Sequence, residues 1–445
     1  GRYPMAPTKY SKIIHFTTVP DMDNEDTMLR ILHEFAAQHK GKRLYLFGCT
    51  DDYAAMIIRR KAELTEYIAP GPAADLYGSI QKKAEFYEVC EKFGIPYPDS
   101  KILTAPVDAA ELTEDKLGFA YPIIVKPSSS VDYWKHPFDT MKKVYTAATP
   151  AEAAEIVKTI YASGYPDRMV LQKMVPGGDD HMRVLTAFSD ENGKVRAMCL
   201  GHTMVEEHTP HGLGNHAAIV SEDTTSLPLV ENIRKMLEAC HYTGFSNFDI
   251  KYSGIPGDYR VFEINLRQGR SNYYVTGAGY NLAKILVEDR VEHKPLELVV
   301  TRNRSLWRVV PQRVAYAYTP KKYHAEMKAL IRAGAAKNPL FYGPDKHPTR
   351  RLRMTKNALG HFAYILEGMK DLNTLRPYHI RLTADGEVLD GDYLFGAVCN
   401  STSIGGLMKL DPERVVLDDG KFEMLLVPSP KTALDLQNLV LALLN

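Results

Sequence analysis

Cysteine is scarce and scattered: Cys49, Cys90, Cys199, Cys240 and Cys399 make an odd set with no CxxC spacing. Such a set supports neither a disulfide framework nor a zinc site, and buried free thiols are the expectation. Neither sign of charge is in excess, since 55 Lys and Arg against 54 Asp and Glu leave a net +1. That balance excludes a global field for recruiting nucleic acid or anionic lipid, so any electrostatic site is local. Uncharged apolar runs of the roughly 18 residues needed to cross a bilayer are missing, and no signal-peptide pattern opens the chain. A cytoplasmic protein without a transmembrane segment or nucleic-acid partner is expected. What remains is an ordinary globular composition, 45% apolar and 24% charged over 445 residues, enough for about three domains. The first residues (GRYPMAPTKYSKIIHF) read as the middle of a domain, and Ala433–Asn445 is an apolar helical pattern without a cap. A fragment at one or both ends is therefore expected.

The chemistry concentrates between Ser246 and Gly279. Two β-rich runs, Ser246–Tyr252 and Tyr259–Asn265, flank a Ser-Gly-Ile-Pro-Gly-Asp turn, which predicts a hairpin. Alternation puts Asp249 on the face opposite Phe248 and Ile250, and puts Glu263 and Asn265 opposite Phe262 and Ile264. Pairing symmetric about Pro256 sets Asp249 directly across from Glu263. Two carboxylates and an amide then share one face, with Arg267 and Arg270 close behind, a set suited to Mg²⁺ carrying nucleotide phosphates. Spacing alone is met more simply by an amphipathic hairpin with a solvated polar face.

Upstream, residues 1–80 alternate β-like runs (Lys12–Phe16, Arg43–Phe47) with helical patterns (Asp26–His39, Asp52–Leu64), the pattern of an open α/β layer. Thr50 and Asp51 cap the helix that follows, and their loop is also placed to touch a ligand. A helix from about Ile80 to Phe93 carries Lys83 near its start, either a phosphate ligand or a solvated charge. The buried strand Phe119–Val125 delivers Lys126 into Pro127-Ser128-Ser129-Ser130, a phosphate-holding loop or a plain strand exit. A helix Pro150–Ala162 capped by Thr149 leads to strands Met169–Lys173 and Met182–Phe188. Apolar residues around Gln172 and Lys173 could sandwich a flat base, or merely form a hinge. His202, His208, His211 and His216 stand beside Glu206 and Glu207 without HxxxH or HExxH spacing, which favours a polar substrate-facing loop over a metal site. Helical patterns recur at Leu227–Cys240, Asn281–Glu288 and 320–334.

Taken together, Lys83, Lys126, the run Gln172-Lys173-Met174-Val175, Asp249 and Glu263-Ile264-Asn265 resemble the ATP-grasp superfamily. The stretches KPSSSVDYWKHPF, MVPGGDDHMRVL, EEHTP followed by GN, and FEINLRQGRSNYYVTGAGYNLAK are similar to carboxylate–amine ligases of the D-aspartate ligase type, over roughly residues 1–355. The resemblance implies an α/β N-terminal layer plus an α+β ATP-grasp fold that closes over Mg·ATP, activates a carboxylate as an acyl phosphate and passes it to an amine. It implies one or two Mg²⁺ on Asp249, Glu263 and Asn265. Lys83 and Lys126 would hold phosphates, Gln172, Lys173 and Val175 would frame adenine, and Asp180 would meet the ribose. Arg267 would stabilise the transferring phosphoryl group, and Arg270 or Arg183 would orient the amino acid's other carboxylate. The implied substrates are a small amino acid, such as D-aspartate, and an amine-bearing muramyl peptide, as in peptidoglycan synthesis. Such ligases carry a strand and helix ahead of a segment like GRYPMAPTKYSKI, so a truncated first domain is expected.

The expected organisation is an α/β domain over 1–80, an ATP-grasp domain over 81–342 with its small lobe at about 119–188, a linker at 343–356, and a mostly-β C-terminal module over 357–445. Within the last, NSTSIGG and DDGKFEMLLV resemble the C-terminal β-sandwich of bacterial diacylglycerol and related lipid kinases, in which Asp419 and Glu423 match acidic positions. Those kinases bind ATP through a GGDGT loop that this sequence lacks, so a catalytically empty module is expected. Lipid phosphorylation and a non-catalytic nucleotide-binding protein are the alternative functions.

Overall fold

A computed structural model describes residues 1–3, 6–207, 214–225, 227–356, 358, 378–384, 387–399, 403–404, 408–409 and 423–428. The chain divides into two compact units, Gly1–Met354 and Thr355–Asn445.

The first unit begins with an α/β layer. Strands β1 (Leu44–Tyr45) and β2 (Tyr67–Ile68) pair in parallel, accompanied by helices Glu25–Gln38 and Asp51–Arg59. Thr50 caps the second helix as its spacing predicts, its side chain accepting from Tyr53 N. The expected strand Lys12–Phe16 does not form: Ile13 and Ile14 are 57% and 45% exposed, and their backbone N–H groups donate to Ser11 Oγ at 3.1 and 3.0 Å instead of to a strand.

A four-stranded antiparallel sheet follows, ordered β3 (Ser100–Leu103), β6 (Met169–Lys173), β4 (Ile123–Pro127), β5 (Tyr145–Ala147). Helix Pro150–Ala162, opened by Thr149 and Pro150, covers it through Ala153, Val157 and Ile160. This small lobe spans Ser100 to Lys173 and not the expected 119–188, because β7 (Met182–Ser189) pairs with strands of the larger sheet.

That larger sheet has eight strands among the described residues. Its hydrogen-bonded order begins with β11 (Tyr259–Asn265), β10 (Gly244–Tyr252), β7, β8 (Val195–Glu206) and β9 (His216–Ser221). It ends with β13 (Leu306–Arg308) and β14 (Ala336–Lys337), while β12 (Val299–Val300) pairs with β8. One face packs Leu185, Phe248 and Ile250 against helices Lys83–Lys92 and Pro228–Ala239. The other packs Val184, Phe188, Cys199 and Phe245 against Tyr274, Leu282 and Trp307. With both faces covered, nearly every residue of β7 and β8 is buried, so hydrophobic alternation cannot tell the faces apart.

Residues 343–354 are not a free linker. Asp345 and Arg350 are buried and 3.0 Å apart; Asp345 accepts from Lys12 N at 2.9 Å, and Arg350 donates to Pro7 O at 2.9 Å. This buried pair staples the end of the unit to its beginning. Cys90 and Cys199 are buried as expected, but Cys49 is exposed.

In the second unit β15 (Tyr378–Ala384), β16 (Glu387–Cys399) and β19 (Glu423–Pro428) form an antiparallel sheet, and β17 (Ser403–Ile404) pairs with β18 (Met408–Lys409). The described residues of this unit are thus mostly β. The helical pattern Ala433–Asn445, Asp419, His208 and His211 lie outside the described residues.

Candidate active site

The hairpin forms with the predicted register, Asp249 opposite Glu263 and Asn247 opposite Asn265. Gly254 and Gly257 turn it with φ of +95° and +83°, a backbone conformation costly for side-chain-bearing residues. Between Asp249 and Ile250 the register slips, because Ile250 pairs with Val261 and leaves Phe262 without a partner. This β-bulge re-aims the strand beside the carboxylates. Sequence alternation alone gave no sign of it.

Asp249, Glu263 and Asn265 line a cavity of about 470 Å³ together with Lys83, Arg267 and Arg270. Asn265 Nδ2 is 3.3 Å from Asp249 Oδ2, and Lys83 Nζ is 2.9 Å from Glu263 Oε2 and 3.2 Å from Ser130 Oγ. Lys83 opens helix Lys83–Lys92, so the helix start and the serine loop meet at the carboxylates. Lys126 leaves β4 buried, its ammonium 5.2 Å from the Phe262 ring centroid and 6.0 Å from that of Tyr87. Arg267 and Arg270 sit in the loop after β11, which Asn247 Nδ2 holds by donating to Arg267 O at 2.6 Å. Gly269 permits that approach: a Cβ there would lie 2.7 Å from Asn272 Oδ1 and 3.1 Å from Asn247 Oδ1.

The electrostatics match the geometry. The charge of Lys83 holds Glu263 well below the usual carboxylate range, whereas burial and then the charge of Glu263 raise Asp249. Burial, reinforced by Lys83, pulls Lys126 down to about 7. Two crowded carboxylates and an amide, one carboxylate resisting ionisation, form a donor set that a hard divalent cation would relieve. The residues therefore fit Mg²⁺.

Other expected residues fall elsewhere. Arg183 does not face the carboxylates: its neighbour Val184 lines the cavity, and alternation turns Arg183 to the opposite face, where Nε donates to Glu222 Oε2 at 3.0 Å. Gln172 is buried, with Nε2 donating to Tyr87 Oη and Ser100 Oγ, each at 2.9 Å. Lys173 is exposed, 3.2 Å from Asp99; Val175 is buried. Asp180 lies 3.0 Å from Lys322 Nζ and accepts from Tyr323 Oη at 3.4 Å. His202 and His216 are buried against Glu222 and Glu206 at 3.1 and 3.4 Å. Sequence reading missed Asn247, Phe262 and Lys143, the last a cavity-lining cation whose charge also bears on Glu263. Lys143 follows Lys142 in a short polar stretch with no local signal.

Fold and site together are those of an ATP-grasp ligase, with Lys83, Lys126 and the paired carboxylates Asp249 and Glu263 where a small antiparallel lobe meets a larger sheet. The D-aspartate ligase of Enterococcus faecium (strain Aus0004) is 38% identical over 361 residues, covering 79% of this chain and 85% of that one. The chain belongs to that family, the ATP-grasp carboxylate–amine ligases. The biotin carboxylase domain of Hydrogenobacter thermophilus 2-oxoglutarate carboxylase, solved with magnesium ADP, ADP and bicarbonate, superposes with a TM-score of 0.50 at 13% identity, over 66% of this chain and 63% of that one. This likeness concerns the fold alone. Residues 341–441 match the YegS C-terminal NAD kinase beta sandwich-like domain. The diacylglycerol kinase of Bacillus subtilis (strain 168) is 35% identical over 78 residues, 18% of this chain and 25% of that one. The chain thus spans about a quarter of that kinase's length. No helix among the described residues is long and apolar enough to cross a membrane.

Proposed function

We propose that the chain joins the carboxylate of a small amino acid, D-aspartate or one like it, to an amine on a peptidoglycan-precursor peptide in the cytoplasm, consuming ATP through an acyl phosphate and releasing ADP. The observation that carries the reading is the cross-strand pair Asp249 and Glu263, with Asn265 beside them and Lys83 on Glu263. The relative named D-aspartate ligase supports the substrate class. Asp249, Glu263 and Asn265 would hold one or two Mg²⁺. When bound, Mg²⁺ neutralises charge between the β- and γ-phosphates. Lys83 and Lys126 hold the phosphates. Gln172, buried at the end of β6, shapes the adenine slot with Val175; the backbone of Lys173 borders it, and Asp180 meets the ribose. The substrate carboxylate attacks the γ-phosphate, so no protein nucleophile is required. Arg267 stabilises the equatorial charge on the phosphoryl group and then the oxyanion formed when the amine adds to the acyl carbon. Arg270 binds the amino acid's second carboxylate after exchanging Glu207, now 2.5 Å away.

A screen of D- and L-amino acids against a muramyl-peptide acceptor, read by mass, tests this. One condensation product, with equal ADP, supports it; AMP and pyrophosphate as products would exclude the acyl-phosphate route. A second reading rests on the match at residues 341–441, namely phosphorylation of diacylglycerol. Labelled phosphatidate formed from diacylglycerol and ATP would establish it.

A further inference from the structure

Asp51 and Arg267 are 216 residues apart in sequence and both line the cavity. Asp51 is the first residue of helix Asp51–Arg59 in the amino-terminal layer, and the Thr50 cap fixes that helix end. Arg267 follows β11 in the larger sheet. The pair is bidentate, with Arg267 Nε donating to Asp51 Oδ1 at 2.6 Å and Nη2 to Oδ2 at 3.0 Å. Nη1 donates to Gln268 O at 3.2 Å. A guanidinium carries five N–H bonds in a rigid plane. These three contacts leave two hydrogens, one on each Nη. The backbone is also pinned, since Asn247 takes the Arg267 carbonyl. The arginine side chain is only 18% exposed, whereas that of Asp51 is 55% exposed.

We propose that Asp51 is a positioning residue for the ligase reaction: by gripping the Nε–Nη2 edge of Arg267 it directs the remaining Nη hydrogens to the phosphoryl group held at Lys83 and Lys126. The proposal rests on the ligase reading. It assigns the amino-terminal layer a direct part in turnover, because the helix that carries Asp51 sets the direction of the arginine fork. An ordinary surface pair would leave turnover unchanged, since such contacts are weak and readily exchanged for water. A fork that swings freely loses alignment, and misplacement of a charge-stabilising group by about 1 Å costs on the order of 100-fold in rate.

The experiment compares wild type, Asp51→Asn, Asp51→Glu, Asp51→Ala, Arg267→Ala and the Asp51→Ala/Arg267→Ala double variant. The readouts are steady-state ADP release with amino acid and amine, thermal melting, and hydrogen exchange of the Arg267 Nε–H by NMR on arginine-labelled protein. The expected result is a kcat about 10- to 100-fold lower in Asp51→Asn with KM for Mg·ATP within about twofold. Partial recovery is expected in Asp51→Glu, and no added loss from Asp51→Ala once Arg267 is alanine. Exchange at Arg267 Nε should be slow in wild type and fast in Asp51→Ala, with Asp51→Asn and Asp51→Ala melting as wild type does. An active wild type with Asp51→Asn at full kcat, or losses that multiply in the double variant, would overturn the proposal alone. A wild type inactive with every acid–amine pair would overturn the ligase reading and the proposal with it.

Discussion

Lys83 Nζ lies 2.9 Å from Glu263 Oε2, and across the ladder from Glu263 stands Asp249. The ammonium thus serves one carboxylate of the pair: Glu263 is held ionised, while Asp249 is raised by burial and by the charge of Glu263. The relationship orders the roles at the site.

Glu263→Gln removes the carboxylate that Lys83 holds while keeping its shape. Turnover should fall by at least about 100-fold, the scale of losing a principal charge-stabilising group. The far-ultraviolet circular dichroism should match wild type. Full activity in this variant would remove the metal assignment.

Asp249 makes the metal-free protein pH-sensitive. Its folded pKa lies above the unfolded value, so the fold retains a proton that the unfolded chain has released, and stability falls as pH rises from about 4 through the folded pKa. Glu263 acts in the opposite sense: its depressed pKa contributes stability above about 4.5, lost as pH falls through the folded value. Asp249→Asn should therefore raise the metal-free melting temperature at pH 8 by on the order of 2 °C. Mg²⁺ should stabilise wild type more than the variant. A lowered melting temperature in the variant would contradict the coupling.

Burial sets Lys126 at about 7, so at pH 8 it is mostly neutral until a phosphate arrives. ATP binding at pH 8 should then take up a proton, measurable by calorimetry in buffers of different ionisation enthalpy. Lys126→Met should abolish most of that uptake. Equal uptake in both proteins would place the proton elsewhere.

Arg183 and Arg270 should separate cleanly. Arg183→Ala leaves Glu222 and His202 packed without their guanidinium, at a cost of roughly 3 kcal/mol as for a broken buried pair. The melting temperature should drop while KM for the amino acid holds. Arg270→Ala should do the reverse, raising that KM about tenfold or more. A selective KM effect of Arg183→Ala would restore it to the site.

The buried Asp345–Arg350 staple closes the first unit before Met354. A chain ending at Met354 should retain kcat within about twofold of the whole chain, whereas Arg350→Ala in the whole chain should lower thermal stability through the buried carboxylate it strands. Loss of activity on truncation alone would assign the second unit a part in the ligase reaction.

The part of this site that was legible in sequence is local. The turn around Pro256 has enough glycine and proline punctuation to place Asp249 opposite Glu263, and Thr50 and Thr149 announce the helix starts they cap. The register slip at Phe262 was not legible, because a bulge adds one residue without changing composition. The direction of Arg183 is not legible because β7 is buried on both faces; with no polar side to mark, alternation cannot show that Val184 takes the cavity. The edge of the small lobe is not legible for a related reason, since strand pairing decides lobe membership and β7 pairs with β10 and β8. The Asp51–Arg267 contact joins residues 216 apart, and no local signal in either segment points to the other. Residues 343–351, polar and proline-bearing, read as a linker because burial of Asp345 by Lys12 and Arg350 is a tertiary fact.

The most direct test of the account is the stoichiometry of nucleotide products. Purified whole chain, ATP, Mg²⁺, D-aspartate and a muramyl-peptide acceptor should yield one ADP and one phosphate per amide formed, with no product when the acid, the amine or Mg²⁺ is left out. Amide formation accompanied by AMP and pyrophosphate, or undiminished in the presence of excess chelator, would contradict it.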